Sequence, residues 1–464
     1  MSIQELVRQR LGENYALHYR YLNRTLVQVQ RMIGFDKVYA RAKGAYLYDQ
    51  EGLDYLDFLA GFGVFNIGRN HPAVAGAIRE VLELDLPNMV QMDSALLSGL
   101  LAEALVDRFA RQGAAHLDAV FLCNSGTEAV EGALKFARCA TGRPKIICLA
   151  HSFHGLTYGS LSVTANEHFQ EGFGPLLPGC SAVPLGDLDA LERELRTKEV
   201  AAFLLEPVQG KGVYFADPQY YQEAQALCRR YGTLLVCDEV QTGLGRTGRW
   251  FGFEHWGLEP DIVTLAKSLS GGYVPCAAVV SRREIYQKVF CRLDRCVVHS
   301  TTFGRNNLAC ACGLATLKVI EEEGLVDNAA RQGEYLRQKL QEVARRHELV
   351  GQVRVLGLMA AIEFQEPRAL GMRTGWKLVH AVDRSLFAQL IVTALLNRYR
   401  ILTQVAANNV DIVKILPPLV IGKLEVDRFV EALDRVLEEF RKFPGPLWEM
   451  GINFWKGVRA AQEA

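Results

Sequence analysis

The sequence predicts an α/β protein with a large domain on a mostly parallel sheet and a smaller α+β domain. From about residue 75 to residue 325, short apolar runs alternate with amphipathic helices, as in a sheet covered by helices on both faces. The 464 residues, 49% of them hydrophobic, can bury a large core. After residue 330, predicted strands alternate with long predicted helices. The apolar runs are Ala119–Cys123, Lys145–Leu149, Ala201–Leu205, Thr233–Cys237, Ile262–Leu265 and Cys276–Val280.

The two ends of the chain are expected to form the smaller domain. Residues 2–33 have helical spacing, and residues 37–59 predict a hairpin around Lys43 and Gly44 followed by a strand. Residues 1–75 and 330–464 are therefore assigned to the small domain, and residues 76–329 to the large one. The elements predicted in the second part are a helix at 330–348, a strand at Leu358–Phe364, a helix at 375–396, a strand at Val413–Leu416 and a helix at 424–442.

Composition indicates an ordinary cytoplasmic protein. The 52 basic and 52 acidic residues are interspersed, which favours neither a nucleic acid nor an anionic membrane as partner. The 11 cysteines lack repeated CxxC spacing, so free thiols in a reducing compartment are expected and no metal site is predicted. The first residues have no apolar core of signal-peptide length. The longest run without a charged residue, Ile146–Asn166, is too polar for a membrane span.

A lysine and a carboxylate each lie at the end of an apolar run. Lys267 follows the run that begins at Asp261, and Asp238 ends the run that begins at Thr233. An enzyme that uses pyridoxal phosphate needs this pair, because the lysine forms an imine with the cofactor and the carboxylate keeps the pyridine nitrogen protonated. Taken alone, a strand-end lysine is usually solvated, and an aspartate at this place often caps a helix.

Other polar segments follow neighbouring runs. Ser125 and Thr127 open a helix whose first N–H groups could hold a phosphate, although a plain helix cap is the commoner explanation. Phe153 could stack on a cofactor ring or belong to the core. Glu206 ends another run, and Gln241 lies on the turn after Asp238. Because ligands of open α/β sheets bind at the carboxyl ends of strands, these segments are expected to converge on one crevice.

Together these motifs resemble the class III aminotransferases of the aspartate aminotransferase (fold type I) superfamily, over roughly residues 35–440. The resemblance implies a large domain with a mostly parallel seven-stranded sheet, and pyridoxal 5'-phosphate as cofactor. Within the class, Leu59–Gly68, Phe121–Gly126 and Asn408-Asn409 are most similar to the putrescine and ornithine aminotransferase branch. The class motifs are Ser125–Ala129, Asp238–Gly248, Leu265–Gly272 and His299–Gly304.

The resemblance also implies the roles of single residues. Lys267 would form the Schiff base and then move the proton between substrate and cofactor, while Asp238 would pair with the pyridinium nitrogen. Thr302 matches a threonine that reaches the phosphate of the neighbouring subunit's cofactor, so a homodimer is expected. The remaining cofactor contacts would be Ser125, Gly126 and Thr127 at the phosphate, Phe153 and His154 at the ring, and Gln241 at the phenolic oxygen.

The residues expected at the substrate are Phe65, Glu206 and Lys414, although a structural salt bridge at the strand end explains Glu206 nearly as well. Relatives that bind a carboxylate commonly have arginine at the position of Lys414. Lysine provides one mobile charge instead of two parallel N–H bonds, so carboxylate recognition is expected to be weaker or re-aimed.

The expected activity is transfer of an amino group between a terminal amine, such as putrescine or another diamine, and a keto acid or aldehyde acceptor by a ping-pong mechanism. An ornithine or ω-amino-acid aminotransferase and an enzyme that aminates a larger aldehyde are the alternatives within the class. A racemase, aminomutase or lyase that uses the same cofactor, and a non-catalytic binding protein, are the alternatives outside it.

Overall fold

A computed structural model of the chain describes residues 1–90, 92–381, 383–407, 410–442, 445 and 448. The Asn408-Asn409 stretch singled out above lies outside these residues. The chain divides into two compact units, one of residues 1–60 and 332–464 and the other of residues 61–331. Across the part that the structure describes, no helix is both long enough and apolar enough to cross a membrane.

The elements are numbered in chain order. The strands are β1 (Tyr39–Lys43), β2 (Tyr46–Asp49), β3 (Asp54–Asp57), β4 (Ala119–Cys123), β5 (Lys145–Leu149), β6 (Cys180–Val183), β7 (Val200–Leu205), β8 (Leu234–Asp238), β9 (Ile262–Leu265), β10 (Ala277–Ser281), β11 (Val350–Leu356), β12 (Met359–Phe364), β13 (Ile401–Leu402), β14 (Gln404–Val405) and β15 (Ile412–Ile415). The helices are α1 (Ile3–Arg10), α2 (Asn14–Tyr21), α3 (Arg24–Met32), α4 (Ala60–Gly63), α5 (Pro72–Glu83), α6 (Leu96–Arg111), α7 (Gly126–Thr141), α8 (Tyr158–Ser162), α9 (Glu167–Gln170), α10 (Leu188–Leu195), α11 (Pro218–Tyr231), α12 (Arg283–Val289), α13 (Asn307–Glu322), α14 (Leu325–Arg346), α15 (Leu370–His380), α16 (Leu386–Tyr399) and α17 (Lys423–Phe440).

The unit of residues 61–331 contains a seven-stranded sheet in the order β4-β10-β9-β8-β7-β5-β6. Strands β6, β5, β7, β8 and β9 are parallel, and β10 is antiparallel to both β9 and β4. Strand β4 therefore points in the same direction as β9. The prediction of a mostly parallel seven-stranded sheet is confirmed.

The apolar runs form strands because helices cover them. All six side chains of β7 are buried, as are all four of β9, which explains their continuous apolar sequences. Helix α7 buries one side against the sheet core through Val130, Leu134 and Ala137. Strand β6 was not predicted, because it is short and two of its four residues are exposed.

The unit of residues 1–60 and 332–464 contains two four-stranded sheets, ordered β1-β2-β3-β13 and β11-β12-β15-β14. The predicted hairpin is confirmed, with Lys43 opposite Tyr46. Two helix predictions were wrong in extent. Residues 2–33 form three helices, since Gly12 has φ +110° and Asn23 caps the third helix by accepting from the Leu26 N–H.

The predicted helix at 375–396 is likewise two helices, α15 and α16. The Asp383 side chain accepts a hydrogen bond from the Ser385 N–H at 2.7 Å, just before the second helix begins at Leu386. A local turn of this kind competes with continued helix, and apolar spacing alone does not reveal it.

Candidate active site

Five parallel strands direct their carboxyl ends to one edge of the sheet, and the predicted site residues follow these ends. Ser125 comes two residues after β4, and Lys267 comes two residues after β9. Glu206 directly follows β7, and Asp238 is the last residue of β8. Phe153 lies four residues beyond β5. The sequence pattern therefore brings these side chains to a common edge because the strands share one direction.

Asp238 is held in place by three hydrogen-bond donors. Its Oδ2 accepts from the His154 Nδ1 at 2.7 Å, and both side chains are buried. Its Oδ1 accepts from the Thr264 hydroxyl and from the Val240 N–H, both at 3.0 Å. The carboxylate consequently has one fixed orientation. The His154 Nε2 is buried and has no hydrogen-bond partner among the described residues.

Lys267 begins a 3₁₀ turn, Lys267–Ser270, and has a left-handed backbone with φ +46°. Non-glycine residues rarely adopt this conformation, and it is found disproportionately at functional sites. Burial lowers the pKa of Lys267 below its ordinary value, while the charges of Asp238 and Glu206 oppose that shift. The amine of Lys267 therefore loses its proton more easily than the amine of a solvated lysine.

The first turn of α7 has backbone N–H groups that no described residue accepts from. The Ser125 side chain caps the helix by accepting from the Glu128 N–H at 3.3 Å. The N–H groups of Gly126 and Thr127 have no helical acceptor by position, and none of the described residues accepts from them. A Cβ on Gly126 would lie 2.9 Å from the Val240 Cγ1, so this position is packed too tightly for a side chain.

The Thr127 hydroxyl has partners of its own. It lies 2.7 Å from the Thr157 hydroxyl and 2.5 Å from the Ser160 hydroxyl. Glu131 anchors this group by accepting from the Thr157 hydroxyl at 2.6 Å and the Gly159 N–H at 2.8 Å. The hydroxyls of Thr157 and Ser160, which follow β5, are thus hydrogen-bonded to the Thr127 hydroxyl at the start of α7.

Glu206 is buried and bonded to the backbone of two loops. Its Oε1 accepts from the Gly210 N–H at 2.9 Å, and its Oε2 accepts from the Phe153 N–H at 3.3 Å. Burial raises the pKa of Glu206, and the neighbouring Asp238 charge acts in the same direction. A Cβ on Gly210 would lie 2.8 Å from the Gln241 Oε1 and 3.0 Å from the Glu206 Oε1, so a glycine allows these side chains to approach.

The remaining residues predicted in this unit are placed as follows. The Gln241 Nε2 donates to the Phe62 carbonyl at 2.8 Å, close to the loop that carries Phe65. A Cβ on Gly272, five residues after Lys267, would lie 2.3 Å from the Phe65 ring, so that ring packs against the lysine's own loop. Thr302 is exposed on the surface of this unit.

Lys414 belongs to the other unit. It is a buried residue of β15, opposite Ala361 of β12 and Gln404 of β14. Its proposed contact with the substrate stays a prediction.

Two site residues were missed by sequence reasoning. Thr264 is the only polar side chain of β9, and a hydroxyl inside an otherwise apolar strand was the available signal. Lys211 lies in the loop after β7, with its Nζ 5.1 Å from the centroid of the Phe153 ring. Its position between two glycines gave no periodic signal.

The arrangement fits pyridoxal phosphate. The unpaired N–H groups of Gly126 and Thr127 suit a phosphate dianion, and the oriented Asp238 carboxylate suits a protonated ring nitrogen. The amine of Lys267 suits a reactive carbonyl. The half-buried ring of Phe153 offers an apolar face for a planar group.

Comparison with known proteins agrees with this chemistry. Residues 29–437 match the family model described as "Aminotransferase class-III". The chain is 36% identical to aminotransferase PigE of a Serratia species over 457 residues, which are 92% of this chain and 53% of PigE, so it spans about half the length of that relative. It is 39% identical to acetylornithine aminotransferase of Methanocaldococcus jannaschii, covering 87% and 94% of the two chains.

Two further proteins are also similar to this chain. Putrescine aminotransferase of Pectobacterium atrosepticum is 38% identical, over 85% of this chain and 80% of that protein. Among solved structures, ornithine aminotransferase of Toxoplasma gondii, whose active site held pyridoxal phosphate at partial occupancy, has a TM-score of 0.81 at 30% identity and covers 95% of this chain and 100% of its own.

Proposed function

Since this chain belongs to the class III aminotransferases, enzymes that depend on pyridoxal phosphate, we propose that it transfers the amino group of a terminal amine to a keto acid or aldehyde by a ping-pong mechanism. The observation that supports this most directly is the pair of Lys267 and Asp238 at the ends of adjacent parallel strands. The charge of Asp238 acts on Lys267, so the two lie within electrostatic range of each other.

Each residue of the site has a distinct task in this proposal. When bound, pyridoxal phosphate supplies an electron sink for the carbon that loses its proton. Lys267 would hold the cofactor, and its amine, when neutral, would take up the proton that the substrate carbon loses. Asp238 would provide a negative charge for the ring nitrogen, and its burial would strengthen that interaction.

The contacts that hold the cofactor are proposals of the same kind. Gly126 and Thr127 would bind the phosphate through their free N–H groups, with Ser125 capping the helix behind them. Phe153 would cover one face of the ring. His154 would act through Asp238, to which it is bonded, and Gln241 would reach the phenolic oxygen.

The candidate amine donors are those that the names of the relatives suggest. One relative is named for putrescine and others for acetylornithine and ornithine, so a diamine and an ω-amino acid are both candidates. Phe65 and Glu206 would face the donor. Amination of a larger aldehyde is a further candidate within the same chemistry.

A homodimer in the cytoplasm is the proposed form of the enzyme. Thr302 is exposed on its own subunit, which is what a residue reaching the partner's cofactor requires. Sedimentation of the Thr302→Ala variant, together with its affinity for pyridoxal phosphate, tests this point. The variant should remain dimeric and bind the cofactor more weakly; unchanged affinity would contradict the role.

A donor-only experiment tests the reaction class. The purified protein loaded with pyridoxal phosphate is mixed with each of a panel of diamines, ω-amino acids and ornithine, without an acceptor. A transaminase leaves its cofactor in the amino form and releases one equivalent of aldehyde or keto acid per site. A racemase, aminomutase or lyase returns the cofactor unchanged, and that result with every donor would overturn the proposal.

The acceptor is tested separately with pyruvate and 2-oxoglutarate. If Lys414 replaces the arginine that grips a second carboxylate, use of 2-oxoglutarate should be weak and should improve in Lys414→Arg. Efficient use of 2-oxoglutarate by the unaltered protein would contradict this part of the proposal.

A further inference from the structure

Lys211 is a second lysine of the site, and its position is defined by two aromatic rings. Its Nζ lies 5.1 Å from the centroid of Phe153 and 5.0 Å from the centroid of Phe169. The two rings contact each other edge-on, with centroids 5.3 Å apart. A cation attracted to two ring faces is held more firmly than a surface lysine.

The loop that carries Lys211 also binds Glu206. The N–H of Gly210, the preceding residue, donates to the Glu206 Oε1 at 2.9 Å, and the Phe153 N–H donates to Oε2. Lys211, Phe153 and Glu206 therefore form one cluster, which is named here the Lys211 cluster. Burial lowers the pKa of Lys211, and the charge of Glu206 opposes that shift.

The positive charge of Lys211 also reaches the amine that reacts. It adds to the effect of burial in lowering the pKa of Lys267. Lys211 is thus within electrostatic range of both Glu206 and Lys267. A donor whose amine takes the place of the Lys267 amine experiences the same charge.

We propose that Lys211 selects the donor by the charge at its far end, disfavouring a second ammonium and favouring an uncharged or anionic group. This inference rests on the proposed function, because it concerns the amine that reacts at Lys267. It ranks putrescine below ω-amino acids and simple amines as a donor.

The physical reason is the balance of charge in the Lys211 cluster. Without Lys211, the buried carboxylate of Glu206 would attract the free ammonium of a diamine. Lys211 offsets that carboxylate and repels a further cation in a region of low dielectric constant, where such interactions are several times stronger than in water. The reacting amine itself must be neutral, so only the distal group differs between the donors.

Three amines with the same four-carbon chain test the inference: 1-aminobutane, 1,4-diaminobutane and 4-aminobutanoate. In the unaltered holoenzyme, kcat/KM should be lowest for the diamine. Lys211→Gln should raise the ratio of diamine to monoamine by about tenfold, and Lys211→Glu should raise it by about 100-fold. Lys211→Arg, which keeps the charge, should retain the original order.

Lys318→Gln serves as the matched control, since Lys318 is an exposed lysine of α13 in the same unit. It should leave all three values unchanged. If the Lys211 variants lower kcat/KM equally for the three amines, Lys211 only supports the Phe153 ring and the inference is overturned. It is also overturned if Lys211→Arg behaves like Lys211→Gln.

A binding measurement separates this inference from the proposed function. Calorimetric dissociation constants of the three amines for the Lys267→Ala protein, with and without Lys211→Gln, do not depend on turnover. If the unaltered enzyme processes none of the amines but the order of binding changes as stated, the proposed function fails and the charge selection stands. If turnover occurs and the order of binding does not change, the charge selection fails alone.

Discussion

Replacing Asp238 by asparagine tests whether the charge of this residue, rather than its shape, supports the reaction. The amide is nearly isosteric and can still accept from the Thr264 hydroxyl and the Val240 N–H at its remaining oxygen. Its NH₂ group would face the His154 Nδ1, which now donates to Oδ2 over 2.7 Å. One charge is lost, and one hydrogen bond is forced to reverse.

The cost of that reversal follows from the burial of His154. To accept from an amide, the Nδ1 must lose its proton, and the proton moves to the Nε2, which then changes from an unpaired acceptor to an unpaired donor in a buried place. The bond to a charged carboxylate is replaced at the same time by a weaker bond to a neutral amide. An unsatisfied buried donor costs about 1–3 kcal/mol. The free energy of unfolding of the cofactor-free protein should fall by about that amount. Loss of the charge next to the ring should lower kcat about 10²–10³-fold as well.

Urea unfolding of the cofactor-free protein and single-turnover kinetics of the loaded enzyme measure the two effects. Asp261→Asn is the matched control, because Asp261 accepts from the Leu235 N–H and the Arg282 Nε and is not one of the site residues. It should reduce stability and leave the chemical step unchanged. A kcat for Asp238→Asn within about threefold of the unaltered enzyme would refute the charge argument.

Two further predictions concern the rest of the site, and a third concerns Glu239, the buried carboxyl group that follows Asp238 in the chain. Lys267→Ala should lower turnover at least about 10³-fold and abolish the visible absorbance of the lysine-bound cofactor, measured by spectrophotometry, and retained activity would contradict its role. Gly126→Ala should weaken binding of pyridoxal phosphate about tenfold because its Cβ meets Val240 at 2.9 Å, and Val240→Ala in the same protein should restore the titrated affinity. Burial raises the pKa of Glu239 from 4.5 to about 7. Its contribution to stability is therefore complete below pH 4.5 and is lost as the pH rises through about 7, on the order of 3 kcal/mol, and chemical denaturation should show no such loss in Glu239→Gln.

The sequence predicts well which residues lie at the carboxyl edge of the sheet, because the strands that precede them are parallel. Strands β4, β5 and β9 have the same limits as the apolar runs that predicted them. The limits of strands β7 and β8 differ from those of their runs by one residue. Once these strands share a direction, the residues that follow them must meet. The placement of Lys267 and Asp238 at one edge therefore follows from the order of apolar and polar segments alone.

Other features depend on contacts between distant residues, and periodicity does not encode them. His154 and Asp238 are 84 positions apart and meet only after β5 and β8 are aligned. The Thr127 hydroxyl, predicted at a phosphate, also bonds to Thr157, thirty positions away. Lys211 shows no pattern until the Phe153 and Phe169 rings enclose it.

The two buried carboxylates of the site differ in what surrounds them, and this difference separates their tasks. Asp238 is bound by a ring nitrogen, a hydroxyl and a backbone N–H, so its orientation does not depend on a ligand. Among the described residues, Glu206 accepts hydrogen bonds from two backbone N–H groups, and burial raises its pKa. Its negative charge is offset by Lys211, which lies against the rings of Phe153 and Phe169. A carboxylate with a fixed orientation suits a cofactor that remains bound through the whole reaction. A carboxylate whose charge is offset by a lysine suits substrates that bind and leave, because the free-energy cost of desolvating Glu206 then depends on the group that approaches it.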